Sequence, residues 1–217
     1  MTFTSIYIKL SQISILLPIV IGLIGFKQLN KPFRFLLYFF IFSGIVEIQA
    51  SVFKSIISNN MPGLHLFTVV EFMAFSFTYY AYLSKHKNLK LIIPVNFLIF
   101  IALAFFDVFY LNGIWQPNTL SRTYASFSMV IYASVFFYYM LKEDLSYYSW
   151  QYPMFWISIG VLLYFSVNIF YFMMIRYLTA NAVSVGRLGL YTHGFINLVA
   201  NILYAQSYRC IQKQQIQ

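Results

Sequence analysis

Three of the five acidic residues in this chain lie within or at the end of long apolar runs, and they are the side chains best placed to carry chemistry. They are Glu47, Glu71 and Asp107. Where an apolar run crosses a membrane, an ionisable side chain costs about 3 kcal/mol or more, so such residues are usually functional. A carboxylate there can relay a proton, pair with a cation or hold the polar head of a ligand.

The elements that must position these acids are predicted to be membrane-spanning helices. The chain is 61% hydrophobic and 9% charged, unlike a soluble domain. Seven apolar runs reach the length of roughly twenty residues that crosses a hydrocarbon core. The predicted spans are 8–27, 34–57, 63–83, 89–111, 119–141, 153–175 and 187–208. We therefore expect an all-α membrane protein in which residues 1–217 form a single seven-transmembrane-helix bundle.

The positions of the basic residues predict how this bundle is oriented. Nine of the 14 Lys and Arg residues fall on one side, namely Lys27, Lys31, Arg34, Lys85, Lys87, Lys90, Lys142, Arg209 and Lys213. Because cytoplasmic loops are enriched in Lys and Arg, we expect the N-terminus outside and the C-terminus in the cytoplasm, in the plasma (inner) membrane. The net charge of +9 is thus a topology signal, and no clustered basic face indicates a nucleic-acid partner.

Two of the predicted helices carry a polar stripe whose residues are spaced four, four, three and four apart. This spacing keeps each stripe on one helix face, at a period of about 3.6 residues. The stripes are Ser43, Glu47, Ser51, Lys54 and Ser58 in the second helix, and His193, Asn197, Asn201, Tyr204 and Tyr208 in the seventh. Since hydrocarbon cannot satisfy polar groups, both stripes are expected to face a common interior.

Three further helices add polar residues at a similar depth. The third helix has His65 at its outer end and Glu71 further in, the fifth begins with Arg122, and the sixth contributes Asn168. With the orientation above, these residues lie in the outer half and predict a polar cavity open to the outside. The residues expected at this ligand pocket are Glu47, Glu71, His65, His193, Asn197, Arg122, Asn168, Asn201 and Tyr204.

The same residues also have a structural explanation. Asn168, Asn197 and Asn201 are of a type that often joins membrane helices by hydrogen bonds worth about 0.6 to 2 kcal/mol each. Glu47 fits an ion pair with Arg122 or Lys54 as well as it fits a ligand contact. The sequence leaves both explanations open.

No complete catalytic signature is present. A metal hydrolase needs about three converging ligands, and His65 and His193 with either Glu71 or Glu47 could supply them. The helix count resembles that of seven-helix zinc amide hydrolases and of the progestin and adiponectin receptors. Their last-helix His-x-x-x-His pair is absent, because Asn197 follows His193. We expect no catalytic residue and no metal site, and the sequence identifies no cofactor. An intramembrane metal-dependent lipid hydrolase remains an alternative.

A small-solute or proton-coupled transporter is the other alternative. Residues 63–65 at the start of the third helix parallel residues 189–193 in the seventh, which indicates a weak internal repeat of the kind found in some transporters. Within the predicted spans Pro94 lies near a helix start, and the prolines at predicted helix ends are Pro32, Pro62, Pro117 and Pro153. These positions favour unbroken helices in a rigid bundle over an alternating-access machine.

Three stretches resemble a family of uncharacterised bacterial seven-transmembrane-helix integral membrane proteins of about this length. They are His65 to Glu71 (HLFTVVE), Phe155 to Phe170 (FWISIGVLLYFSVNIF) and His193 to Ala205 (HGFINLVANILYA). The resemblance extends along the whole chain and implies the seven-helix fold, but it brings no established activity.

Taken together, these observations predict a ligand-binding sensor or an accessory membrane subunit. Its expected partners are the lipid bilayer, a small-molecule or lipid ligand that enters from the outside, and a membrane signalling protein. A protein partner is expected because the predicted cytoplasmic loops are too short to hold an output domain.

Overall fold

The computed structural model describes residues 9–56, 60–111, 113–143, 150–181 and 183–214. These residues form seven α-helices and no β-strand. The helices are α1 (Lys9–Ile24, interrupted at Ser14 and Ile15), α2 (Lys31–Ile56), α3 (Met61–Leu83), α4 (Leu89–Phe106), α5 (Thr119–Lys142), α6 (Pro153–Asn181) and α7 (Val183–Gln214). A 3₁₀ turn, Phe26–Gln28, precedes α2, and α4 continues as a π-helical turn, Asp107–Leu111.

Five helices in the described part of the chain are long and apolar enough to cross a membrane. The candidate spans are Lys31–Gln49, Met61–Leu83, Leu89–Leu111, Thr119–Lys142 and Pro153–Tyr171. The first apolar helix, Lys9–Ile24, is shorter, and α7 does not qualify over its described residues. The all-helical class expected from the sequence is confirmed, whereas the seven crossings and their orientation remain predictions.

The connection between the last two helices differs from the expected one. The sequence predicts spans that end at 175 and begin at 187, with a short loop between them. Instead, α6 continues to Asn181 and α7 begins at Val183, while Ala182 lies outside the described residues. No proline interrupts this stretch, so the helices extend past the apolar runs that were used to bound them.

Local sequence explains where several helices begin. The Asn30 side chain accepts a hydrogen bond from the backbone N–H of Phe33 at 3.2 Å, as a helix N-cap does. Pro62 and Pro153 lie in the first turns of α3 and α6, where a missing N–H removes no helical hydrogen bond. In the connection from α4 to α5, Gly113 adopts a φ of 71°, which side chains disfavour.

The first helix is interrupted at Ser14 and Ile15, so the expectation of unbroken helices is wrong there. Pro18 has no N–H to donate to the Ser14 carbonyl four residues earlier. The N–H of Leu17 donates to that carbonyl instead, at 3.0 Å. The break places the hydroxyls of Ser11 and Ser14 where both can hydrogen-bond to α7.

The helices pack as a ring in which α3 also contacts a more peripheral helix, α4. In this ring α5 packs on α6, α6 packs on α7, and α7 packs on α1. Helix α2 lies between α1 and α3. The peripheral α4 exposes Leu91, Leu98 and Phe105, among other large apolar side chains. Exposed apolar side chains on a long apolar helix are expected where the helix faces lipid.

An aromatic cluster fills the interior between α2, α3, α6 and α7. Tyr204 stacks on Phe40 and meets Phe75, with ring centroids 5.2 Å and 5.7 Å apart. Phe75 in turn packs edge-on against Phe165 at 5.7 Å. These rings fix the spacing of the helices that carry the polar residues.

The close approach of α6 to α7 at Gly160 can be tested. A Cβ there would lie 2.6 Å from Cε1 of Tyr204, whose ring is held by Phe40 and Phe75. We expect Gly160→Ala to lower the free energy of unfolding by about 1–3 kcal/mol, as overpacking does. Gly63→Ala is the control, because no heavy atom of the described residues would lie within 4 Å of its Cβ. Equal unfolding curves in mild detergent would contradict this packing.

Candidate functional site

A buried arginine near the start of α5 links three helices. Arg122 is 8% exposed. Its Nη1 donates to Thr68 Oγ1 of α3 at 3.0 Å, and its Nη2 donates to Tyr164 Oη of α6 at 3.4 Å. The guanidinium also lies 5.4 Å from the centre of the Phe67 ring, within the range of a cation–π contact. One charged side chain thereby fixes α5 against α3 and α6.

Glu71 supplies the opposite charge. It is 4% exposed, and its Oε2 lies 3.6 Å from Nη2 of Arg122. Charge-assisted hydrogen bonds are typically about 2.7–2.9 Å long, so this is an ion pair without a direct hydrogen bond. The sequence raised Glu47 as a partner for Arg122, and the structure shows that the arginine pairs with Glu71.

His193, the first residue of the polar stripe of α7, contacts α6. His193 Nδ1 lies 2.8 Å from Asn168 Oδ1. The imidazole ring also stacks on Tyr171, with centroids 5.6 Å apart, and lies 5.8 Å from the Tyr164 ring. These contacts hold the His193 ring beside Tyr164, whose hydroxyl accepts the hydrogen bond from Arg122.

The next residues of the stripe contact the interrupted first helix. Asn201 Nδ2 donates to Ser14 Oγ at 2.8 Å, and Asn197 Nδ2 donates to Ser11 Oγ at 3.4 Å. Both asparagines therefore join helices, which is the structural explanation that the sequence left open. They do so on the wall of a cavity, so the two explanations do not exclude each other.

These polar groups surround a cavity of about 610 Å³, a size typical of small-molecule sites. It lies among α1, α2, α3, α5, α6 and α7, at the end of the bundle where α2 meets α3 and α4 meets α5. Its apolar wall includes Ile15, Phe39, Phe40, Phe42, Val46, Leu64, Phe67, Phe75 and Trp115. The cavity therefore combines an apolar wall with a compact polar cluster.

Most of the residues expected at a pocket line this cavity. Seven of the nine do so, namely Glu47, Glu71, Arg122, His193, Asn197, Asn201 and Tyr204. Asn168 instead contacts His193. His65 lines a second, largely apolar cavity of about 380 Å³ that α3, α4 and α5 form, and its Nε2 lies 3.0 Å from the Gln116 carbonyl.

Part of the cavity wall comes from α1, whose residues were not expected there from the sequence. Ser11, Gln12 and Ile15 all line it. The signal that could have found them is Pro18, since a proline inside a span frees the carbonyl one turn earlier. On α2, Ser43 lines the cavity next to Glu47, whereas Ser58 and the side chains of Ser51 and Lys54 lie outside the described residues.

Asp107, the third acid that lies in an apolar run, has a structural role at the start of α5. It is fully buried, and its Oδ2 accepts hydrogen bonds from the backbone N–H and the hydroxyl of Ser121, at 3.0 Å and 2.9 Å. A carboxylate that accepts from the first turn of a helix also complements the helix dipole. Asp107 therefore caps α5 and holds the turn that carries Arg122.

The structure does not assemble the metal ligands considered from the sequence. His193 lines the first cavity and His65 lines the second. Among the residues that the structure describes, no three His, Cys, Asp or Glu side chains are close enough to hold a metal ion. The geometry thus gives no support to the metal-dependent hydrolase.

A second charge cluster lies at the opposite end of the bundle, where α3 leads into α4. Lys85 Nζ donates to Glu143 Oε2 at 2.7 Å, and His86 Nε2 lies 3.5 Å from Oε1. The hydrogen bond from Lys85 lowers the pKa of Glu143 below its ordinary value. The stabilisation from this contact is therefore fully present at a pH above the ordinary pKa of glutamate, and it is lost as the pH falls through the lowered pKa of Glu143. It is solvent-exposed and contributes little stability.

The five long apolar helices define the class of the chain as a helical membrane protein. Comparison with protein-family models, with curated proteins and with solved structures found no match in any of the three.

The two ion pairs allow a direct comparison of a buried and an exposed charge. We expect Arg122→Ala to lower the free energy of unfolding by about 3–5 kcal/mol, because it leaves the buried Glu71 carboxylate uncompensated. Lys85→Ala removes the exposed partner of Glu143 and should cost less than about 1 kcal/mol. Unfolding of both variants in the same detergent measures the difference. Similar small losses would show that Glu71 does not depend on Arg122.

Proposed function

We propose that this protein binds a small amphiphilic molecule, either a small solute with an apolar part or a lipid, in the cavity among α1, α2, α3, α5, α6 and α7. It then acts as a sensor or as an accessory subunit of another membrane protein. The observation that carries the proposal is the cavity of about 610 Å³ that joins aromatic walls to the buried Arg122–Glu71 pair. Ligand sites typically combine an apolar lining with a few fixed polar groups.

The roles of the lining residues follow from their positions. Phe39, Phe40 and Phe75 provide the wall against which an apolar group would pack. Glu71 and Arg122 would orient a polar head group, because both are held by the bundle and neither has to be ordered when the ligand binds. The hydrogen bonds of Asn197 and Asn201 to α1 would couple occupancy of the cavity to the position of that short helix.

The charge distribution supports a cavity that opens to the outside of the plasma membrane. Lys27, Arg34, Lys85, Lys142 and Lys213 all lie at the end of the bundle opposite the cavity, next to the connections α1–α2, α3–α4 and α5–α6. An excess of Lys and Arg marks the cytoplasmic side. A ligand would then enter from outside, and a signal would leave through helix contacts with a partner protein.

A small-solute or proton-coupled transporter is the second candidate, and the break in α1 favours it. Transporters often use interrupted helices beside the substrate site, and the interrupted turn at Ser14 lies against the cavity wall at Asn201. Glu47→Gln separates the two candidates. In proteoliposomes under an imposed pH gradient, a proton-coupled transporter would lose coupling, whereas a sensor would show only weaker binding.

The proposal predicts that gently extracted protein carries a bound molecule. We expect native mass spectrometry to detect a small molecule or lipid on the wild-type chain, and to show its loss from a Glu47→Gln, His193→Ala double variant. Glu143→Gln is the control, since Glu143 lies at the opposite end. Metal analysis of the same samples tests the hydrolase, which requires stoichiometric zinc. Identical, non-specific lipid on all three proteins would mean that the polar residues only join helices.

A further inference from the structure

The carboxylate of Glu71 lines the cavity and receives no hydrogen bond from the residues that the structure describes. It is 4% exposed, and the guanidinium of Arg122, at 3.6 Å, is beyond hydrogen-bond length. An ionised carboxylate offers about four acceptor sites, and leaving them without donors in a buried position is costly. The cavity therefore presents a strong acceptor that is complemented by a hydrogen-bond donor on a ligand.

Arg122 limits the charge that such a donor can carry. Together the guanidinium and the Glu71 carboxylate are electrically neutral. A cationic head group placed at Glu71 would lie close to the guanidinium, and an anionic head group placed at Arg122 would lie close to the carboxylate. Like charges at this range repel strongly where the dielectric constant is low.

A hydroxyl group avoids both repulsions. It has one hydrogen to donate to the Glu71 carboxylate and two lone pairs that accept from neighbouring donors. It also brings no net charge into a buried neutral pair, so no further compensating charge is required. A head group with two or more hydroxyls could satisfy several of the carboxylate's acceptor sites at once.

We propose that the cavity recognises a neutral amphiphile whose head group is an alcohol or polyol, with one hydroxyl donating to Glu71 and the apolar tail packed against Phe39, Phe67 and Phe75. This inference rests on the proposed function and names the ligand class of the same cavity. It assigns Glu71 as the specificity-determining residue, because its acceptor sites require a donor and its partner Arg122 disfavours a cation.

Trp115 provides a reporter for the test. It lines the cavity, while the other two tryptophans, Trp150 just before α6 and Trp156 in its first turn, lie near the opposite end. Trp150→Phe with Trp156→Phe therefore leaves a chain whose fluorescence reports on the cavity mouth. This single-tryptophan chain, in lipid nanodiscs, is titrated with three probes of equal tail length: monodecanoylglycerol, decanoic acid and decylamine.

We expect monodecanoylglycerol to bind about tenfold more tightly than either charged probe, the factor that one hydrogen bond to a charged group supplies. Glu71→Gln should weaken its binding by about tenfold, and Glu143→Gln should leave it unchanged.

Tighter binding of decanoic acid or decylamine, or unchanged affinity in Glu71→Gln, would overturn the ligand class while leaving an amphiphile site. If none of the probes alters Trp115 emission, the proposed function fails with it. The probe comparison needs no substitution at Glu71, so it decides the question even if that variant does not fold.

Discussion

A guanidinium group stays charged at any physiological pH, and hydrocarbon cannot stabilise that charge. The arrangement around Arg122 follows from this constraint. The side chain is buried between α3, α5 and α6, so the bundle has to provide both an opposite charge and hydrogen-bond acceptors. Glu71, Thr68 and Tyr164 do so, and their positions fix the rotation of three helices about their own axes.

The need to stabilise the charge of Arg122 also makes the two ends of the bundle different. Around Arg122 the helices carry polar side chains, and the space between them widens into a cavity. Towards the other end, Tyr208 donates to the Phe33 carbonyl at 3.1 Å, and Tyr79 donates to Ser158 at 3.1 Å. There, buried hydroxyls join helices that otherwise pack through aromatic rings. The hydrogen bonds at that end hold the helices together without closing the cavity at the other end.

The first helix shows how a local covalent constraint contributes to the site. Pro18 removes one backbone hydrogen bond, and the turn that results presents Ser11 and Ser14 to α7. A regular helix would satisfy the same carbonyl internally and would need no interruption. The short α1 packs against α2 and α7, and its contacts with α7 include the hydrogen bonds of Ser11 and Ser14.

The sequence by itself determined the helical class and the approximate position of the helices, and seven of the residues it singled out line the cavity. This was possible because local sequence patterns indicate which residues are buried in a membrane protein. Long apolar runs indicate helices, and polar residues at helical spacing indicate the faces that point inward. Only the tertiary structure decided that Arg122 pairs with Glu71, that Asp107 caps α5, and that His65 and His193 lie in different cavities. Those outcomes depend on the rotation and relative height of helices that are distant in the chain. The spacing of residues within one helix carries no information about either quantity.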